Sequence, residues 1–191
     1  MKAMILDGSG KDDVAMSATR NIIEDSFGRA GHDISVFTLR DLDVATCCGF
    51  FRCWLKTPGI CVINDIAQDI VKCAVLSDYW VFLTAITFGG YSAELKKAID
   101  RMPPLLLPYF TKINGEVHHK MRYEKHPHLL VFGSAQSHNA DMEDIFKELV
   151  QRNSINFHSK SAISSIVLSN DTFMTVTDKV KEALSGVSIK A

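Results

Sequence analysis

No apolar stretch of this chain approaches the roughly 20 residues that a membrane-spanning helix requires. The run from Trp80 to Ile86 has only the length of a strand. No membrane partner is expected. An excess of charge of one sign is missing too. The formal net charge is −1, without the clustered Lys and Arg of a nucleic-acid surface, so no nucleic-acid partner is expected either. The opening residues, Met1-Lys2-Ala3-Met4-Ile5-Leu6-Asp7, hold an apolar run too short for a signal peptide and no cleavage site. Cysteine is sparse and odd in number, five in all, with Cys47, Cys48 and Cys53 inside seven residues. That is no disulfide framework. These absences predict a cytoplasmic protein, in which grouped cysteines bind metal, undergo redox chemistry or sit inert.

What is present is the composition of a globular chain. Its 191 residues, 47% of them apolar, suffice for one well-buried core and are short for two. With no internal repeat, linker or low-complexity tract, one domain over residues 1–191 is expected. Met4 to Leu6, Ile34 to Leu39, Tyr79 to Leu83, Leu129 to Phe132 and Ala162 to Leu168 are apolar runs of strand length. Between them, apolar residues recur at helical spacing: Ile22, Ile23, Phe27 and Ala30; Ile66, Ile70, Cys73 and Ala74; Leu95, Ala98 and Ile99. Met142, Ile145, Phe146, Leu149 and Val150 mark a further helix, and residues 173–184 a last one. Gly31 reads as a helix stop, Asn64 and Ser92 as helix caps.

Continuous apolar strands belong to sheets covered on both faces. Five strands alternating with five helices therefore predict an α/β, doubly wound parallel sheet with helices on both faces. Ligands of such sheets bind at the carboxyl ends of the strands. That selects three loops, 8–18, 84–91 and 133–139. Residues 102–127 join a helix to a strand without a periodicity of their own. A lid, a binding loop or a subunit contact is expected there.

The first loop reads Gly8-Ser9-Gly10-Lys11-Asp12-Asp13 directly behind a strand, an arrangement that suits a phosphate. A triphosphate loop needs a glycine five residues before its Gly-Lys pair and a Ser or Thr after it. Ile5 and Asp12 hold those places. A dinucleotide turn needs a third glycine where Asp13 stands. A terminal phosphate monoester fits better. Ser9, Ser17 and Thr19 supply hydroxyls, Lys11 supplies a cation, and the amides opening the first helix point their positive end into the loop. A polar turn without ligand is the alternative.

Three segments carry a resemblance. "GSGKDDVAMSATRNII" resembles the first loop of the NADPH-dependent FMN reductase family of flavodoxin-like proteins, G-S-P-R followed by S-N-T and a helix. "CCGFFRCWLKTPGICVIND" is similar to that family's cysteine segment, C-x-G-C-x-x-C-W-x-K-T-P-G-x-C-x-I-x-D. "FGGYSAELKKAIDR" is similar to its F-G-S-Y-S-A-x-L-K-x-x-I-D-R. The resemblance spans residues 1 to about 101 and implies a flavodoxin-like fold with strand order 2-1-3-4-5. It further implies FMN as cofactor, NAD(P)H as electron donor and a small-molecule acceptor such as a quinone or free flavin. Ser9, Lys11, Ser17, Ala18 and Thr19 would lie at the phosphate. Ala85, Ile86, Thr87, Phe88 and Gly89 would run beside the isoalloxazine ring, and Ser134 would close the far side. No catalytic side chain is named, because hydride chemistry belongs to the flavin. Two departures stand out: Thr84 to Gly89 replaces S-P-V-Y-F-G, and Ala18 replaces an asparagine.

The iron-sulfur flavoproteins of the same superfamily carry four cysteines in this segment. Here Cys47, Cys53 and Cys61 match and Phe50 holds the remaining place. No iron-sulfur cluster is expected, and Cys73 is expected to be buried. His118, His119, His126 and His128 fall within eleven residues without a partner at ligand spacing, so no metal site is expected. Asp100 and Arg101 are expected to pair locally or to fix a helix end. The apolar tract "MPPLLLPYF" is expected to bury itself in a homodimer or higher homo-oligomer. The expected activity is an NAD(P)H-dependent FMN oxidoreductase. A non-catalytic electron carrier and a flavin-less interaction protein are the alternatives.

Overall fold

The continuous apolar runs become the centre of a sheet. In chain order the elements are β1 (Lys2–Gly8), α1 (Val14–Arg29), β2 (Asp33–Thr38), α2 (Arg52–Leu55), α3 (Ala67–Leu76), β3 (Tyr79–Ala85) and α4 (Ala93–Asp100). There follow β4 (Leu106–Ile113), β5 (Glu116–Met121), β6 (His128–Ala135), α5 (Ala140–Asn156), β7 (Ser161–Leu168) and α6 (Phe173–Ser185). The structure, a computed structural model, describes residues 1–189. The last two residues of the expected domain lie outside the described ones.

Five strands form one sheet in the order β2-β1-β3-β6-β7, and every pairing is parallel. This is the expected 2-1-3-4-5 order once the β4–β5 hairpin is set aside. One row across the sheet runs Val36, Ile5, Val81, Leu130, Ile163. β1, β3 and β6 are buried along nearly their whole length, and the edge strands β2 and β7 only partly. Burial on both faces is why the middles of the central strands are continuous apolar runs rather than alternating ones, with polar residues such as Asp7, Thr84 and Ser134 confined to their ends.

Helices cover both faces. Met16, Ile23 and Phe27 of α1 and Val176, Val180 and Leu184 of α6 pack on Ile5, Val81 and Leu130. On the opposite face Ile70 of α3, Leu95 of α4 and Phe146 of α5 pack on Leu6, Phe82 and Val131. Each fully buried side chain of this kind contributes about 1.5–3 kcal/mol relative to exposure. Among the described residues no helix is long and apolar enough to cross a membrane.

The helix ends follow local chemistry. After α1, Gly31 takes a positive φ of 71° and the His32 amide donates to the Phe27 carbonyl, a glycine-terminated helix end. Ser92 caps α4 by accepting from the Leu95 amide. At α3 the cap position falls on Ile66 and not on Asn64, and the Asp65 carboxylate accepts from the first helical amide, that of Ala67.

Residues 102–127 depart furthest from expectation. A turn of 3₁₀ helix (Pro103–Leu105) leads into β4 and β5, which pair antiparallel. Asn114 and Gly115 close the hairpin with positive φ values of 51° and 86°. Asn-Gly is the residue pair such a turn demands. Pro108 and a register shift between Leu106 and Phe110 break the alternation that would have revealed β4. The apolar tract divides accordingly. Pro104 and Leu105 are buried in the core, and Tyr109 and Phe110 are exposed.

Candidate functional site

A cavity of about 470 Å³ opens at the carboxyl ends of the strands, within the range of small-molecule sites. The loop after β1 and the start of α1 contribute Asp12, Asp13, Val14 and Ala15. The end of β3 contributes Ala85 and Ile86. Ser134, Ala135 and Gln136 come from the end of β6, and Ser169 from the loop after β7. The cavity thus lies where the order of the sheet reverses, at the neighbouring ends of β1 and β3.

The glycines of the first loop have different tasks. A Cβ on Gly8 would lie 2.7 Å from the Leu95 Cβ and 2.8 Å from the Ser92 Oγ. Gly8 therefore lets the start of α4 approach β1, and the Ser92 hydroxyl donates to the Gly8 carbonyl at 2.6 Å. A Cβ on Gly10 would meet nothing within 4 Å. Ser9 is buried, and both its amide and its hydroxyl donate to Asp7 Oδ1, at 3.0 and 2.5 Å. Asp7 in turn receives Arg20 at 3.1 Å and Arg40 at 3.6 Å.

The amino terminus of α1 belongs to Asp13. One carboxylate oxygen accepts from the Met16 amide at 2.9 Å. The other accepts from the Ser134 hydroxyl at 2.5 Å, joining the first loop to the end of β6. A carboxylate suits this place, where unpaired amides and the helix dipole present positive charge. Replacing such a cap by alanine costs about 1 kcal/mol.

The start of α1 decides where the residues expected at the phosphate lie. Only the first turn of a helix has free amides, and α1 begins at Val14. The Ser17 amide already donates to the Asp13 carbonyl, and its side chain is exposed. Ala18 packs against the core. Thr19 is fully buried and its hydroxyl donates to the Ala15 carbonyl at 2.8 Å. Ser9 is engaged by Asp7, and Lys11 is exposed outside the cavity lining. None of these five residues lines the cavity.

The second loop divides. Ala85 and Ile86 line the cavity, with the Ile86 amide donating to the Ser134 carbonyl at 2.8 Å. Thr87, Phe88 and Gly89 lie beyond the lining and form a tight turn closed by two bonds between Thr87 and Gly90. Phe88 and Gly89 both have positive φ, 50° and 75°, and Phe88 is 99% exposed. Beneath the turn a Cβ on Gly89 would lie 2.7 Å from Ile145 Cγ2. Ile145 lies at the surface and not in the core its spacing foretold. Of the third loop, Ser134 lines the cavity. Asp12, Asp13, Val14, Ala15, Ala135, Gln136 and Ser169 were not foreseen. The signal for Asp13 was local: an aspartate directly before the helical pattern.

The cysteine segment lies on the other side of α4. Arg101 does not pair with Asp100, which takes Lys96 instead. Arg101 reaches Asp65 and the carbonyls of Ala45 and Ile63, and its Nη2 lies 3.3 Å from Cys61 Sγ. Trp54 donates from its indole nitrogen to the Pro103 carbonyl at 2.8 Å, pinning the segment to the hairpin. Burial pushes the Cys53 thiol above its ordinary value, and neighbouring Cys61 and Cys47 push in the same direction. All five cysteines are free thiols, and Cys73 is buried. Each of His118, His119 and His128 has its own hydrogen-bond partner: Asn156 and Glu116, the Leu107 carbonyl, and Ser161. Among the described residues no three His, Cys, Asp or Glu side chains are grouped to hold a metal ion.

Comparison with known proteins agrees with this fold. The family profile described as NADPH-dependent FMN reductase matches residues 1–156. An iron-sulfur flavoprotein of Methanocaldococcus jannaschii is 27% identical over 119 residues, 61% of this chain. The match spans about three fifths of the length of that relative as well. Among solved structures, the NAD(P)H:quinone oxidoreductase of Methanothermobacter marburgensis superposes with a TM-score of 0.72 at 13% identity, covering 98% of this chain and 99% of that one. An FMN-dependent NADH-azoreductase of Bacillus anthracis in complex with FMN gives 0.64 at 13% identity, covering 98% and 100%. Likeness at such low identity establishes the flavodoxin-like fold.

Proposed function

The chain belongs to the NADPH-dependent FMN reductase family, and from that premise we propose that it is a cytoplasmic oxidoreductase. It carries electrons from NAD(P)H through FMN to a small acceptor such as a quinone or a free flavin. The observation that carries this reading is the cavity at the ends of β1, β3 and β6, with its apolar wall and polar rim.

The residues present fit the ring of a flavin. Ala85, Ile86 and Ala135 offer an apolar wall, and Gln136 and Ser169 offer polar groups beside it. Gly133 keeps that wall in place, because a Cβ there would lie 2.7 Å from Ile86 Cγ1 and 2.8 Å from Phe146 Cζ. When bound, FMN supplies the hydride acceptor and the onward electron donor. The protein's own work is to orient the ring and keep one face open to both substrates. No side chain needs to act as acid or base. In this reading the phosphate end would lie toward α1, where Asp13 stands.

A homodimer belongs to the same proposal. Val14, Phe88 and Ile145 are exposed apolar side chains on or beside the cavity lining, and a second copy would cover them. Light scattering at increasing concentration measures this directly, and Phe88→Asp should yield monomers.

The test of the activity begins with the visible spectrum of the purified protein and a titration with FMN followed by fluorescence quenching. NAD(P)H oxidation with a quinone or free flavin as acceptor comes next. Saturable flavin binding with turnover supports the reductase. Binding without turnover favours an electron carrier, and no binding favours an interaction protein.

A further inference from the structure

The end of the cavity at the start of α1 already holds an anion of the chain's own. Asp13 spans it, with one oxygen on the Met16 amide at the start of α1 and the other on the Ser134 hydroxyl at the end of β6. These are two donors that a flavin phosphate at this helix would otherwise compete for. Asp12 lines the same end, and no Lys, Arg or His is among the residues lining the cavity. The nearby cations are engaged elsewhere: Arg20 lies on Asp7 and Glu24, and Arg40 on Asp7 and the Ser9 carbonyl. Lys11 is exposed and outside the lining.

A phosphate monoester carries close to two negative charges at neutral pH. At the start of α1 it meets two carboxylates and no lining cation. The helix dipole favours one anion there, and Asp13 takes that favour first.

We infer that Asp13 is a specificity-determining residue that cancels the advantage of the phosphate, so that the cavity holds flavin by its ring and ribityl chain. Riboflavin, the flavin without phosphate, then binds at least as tightly as FMN. FMN behaves as an exchangeable ligand, not a retained one. This inference rests on the flavin reading of the cavity and adds to it the basis of selection between flavins.

The test compares riboflavin and FMN by fluorescence quenching, in the natural protein and in Asp13→Asn. Asparagine is an equally good helix cap and keeps an oxygen for the Met16 amide, so the substitution removes the charge, while its amide nitrogen donates to the Ser134 hydroxyl where Asp13 accepted from it. In the natural protein the expected FMN dissociation constant is equal to or larger than that of riboflavin. Raising the ionic strength should tighten FMN and leave riboflavin unmoved, because salt screens the repulsion. Asp13→Asn should tighten FMN at least tenfold and change riboflavin less than twofold.

A tenfold preference of the natural protein for FMN would overturn the inference without any variant. An FMN-to-riboflavin ratio unchanged by Asp13→Asn would overturn it as well. If neither flavin bound either protein, the flavin reading itself would fall, and the selectivity with it. If both bound with unshifted ratios, only the role of Asp13 would fall.

Discussion

Arg101 grips Asp65 with both terminal nitrogens, at 2.7 and 2.8 Å, across 36 residues of sequence. The guanidinium is 1% exposed. It stands at the end of α4, and Asp65 stands just before α3, so the pair ties the cysteine segment to the body of the sheet. A buried charge left without its partner costs about 3 kcal/mol or more. Asp65→Asn should therefore lower the stability measured by urea denaturation by about 3 kcal/mol. A change below about 0.5 kcal/mol, the range of ordinary surface substitutions, would show that the segment is held by other contacts.

The same pair sets an acid limit. Burial alone would raise the Asp65 carboxyl, but Arg101 and the amides of Ala45 and Ala67 outweigh it and hold the group below the usual carboxylate range. Asp78, with Lys125 and the Lys2 amide, and Asp171, with Lys179 and the Leu168 amide, are lowered against their own burial in the same way. A carboxyl lowered by folding adds stability above its unfolded value, about 3.9. It loses that contribution as pH falls through the folded value. Denaturation midpoints should fall steeply below about pH 4, beneath a gentler decline starting at about pH 6.5 to which His128 contributes, because burial holds its imidazole below the ordinary value. Asp65→Asn should flatten the acid limb.

The position of Ser17 separates two placements of the flavin phosphate. Sequence spacing puts Ser17 at the phosphate, where Ser17→Asp would abolish FMN binding. In the folded chain Ser17 is exposed and its amide is already used within the helix. Ser17→Asp should leave the FMN dissociation constant within about twofold. Loss of binding in that variant would return the cradle to residues 17–19.

The thiols should react in order of exposure. Cys47 and Cys48 are exposed, Cys53 and Cys61 half-buried and Cys73 buried. Attack requires the thiolate, and burial together with Cys61 and Cys47 holds Cys53 in its protonated form. A maleimide followed by mass spectrometry should label Cys47 and Cys48 first and Cys53 slowly. Cys73 should be labelled only in denaturant. Early labelling of Cys73 would show that α3 opens in the native state.

Much of this was legible in the sequence. A strand covered on both faces is apolar along its middle without alternation, and the runs at Met4, Tyr79 and Leu129 announce β1, β3 and β6 directly. The caps at Ser92 and Asp13 obey rules of a few residues' range. The hairpin was hidden because Pro108 and the register shift erase the alternation of β4, although Asn114-Gly115 names the turn. The surroundings of Ser17 and Thr19 were not legible, because a run of hydroxyls does not state where a helix begins.

By itself the sequence determined the class of the fold, its helix-covered sheet and its kinship, since these follow from periodicity and from motifs contiguous in the chain. The tertiary structure alone decided which groups meet at the strand ends. Asp13 and Ser134 lie 121 residues apart and are brought together by β1 and β6, which flank β3. Arg101 finds Asp65 rather than its neighbour Asp100 because the end of α4 turns it inward, where a buried charge needs a partner. Local pattern governs local structure; which charge answers which is a property of packing.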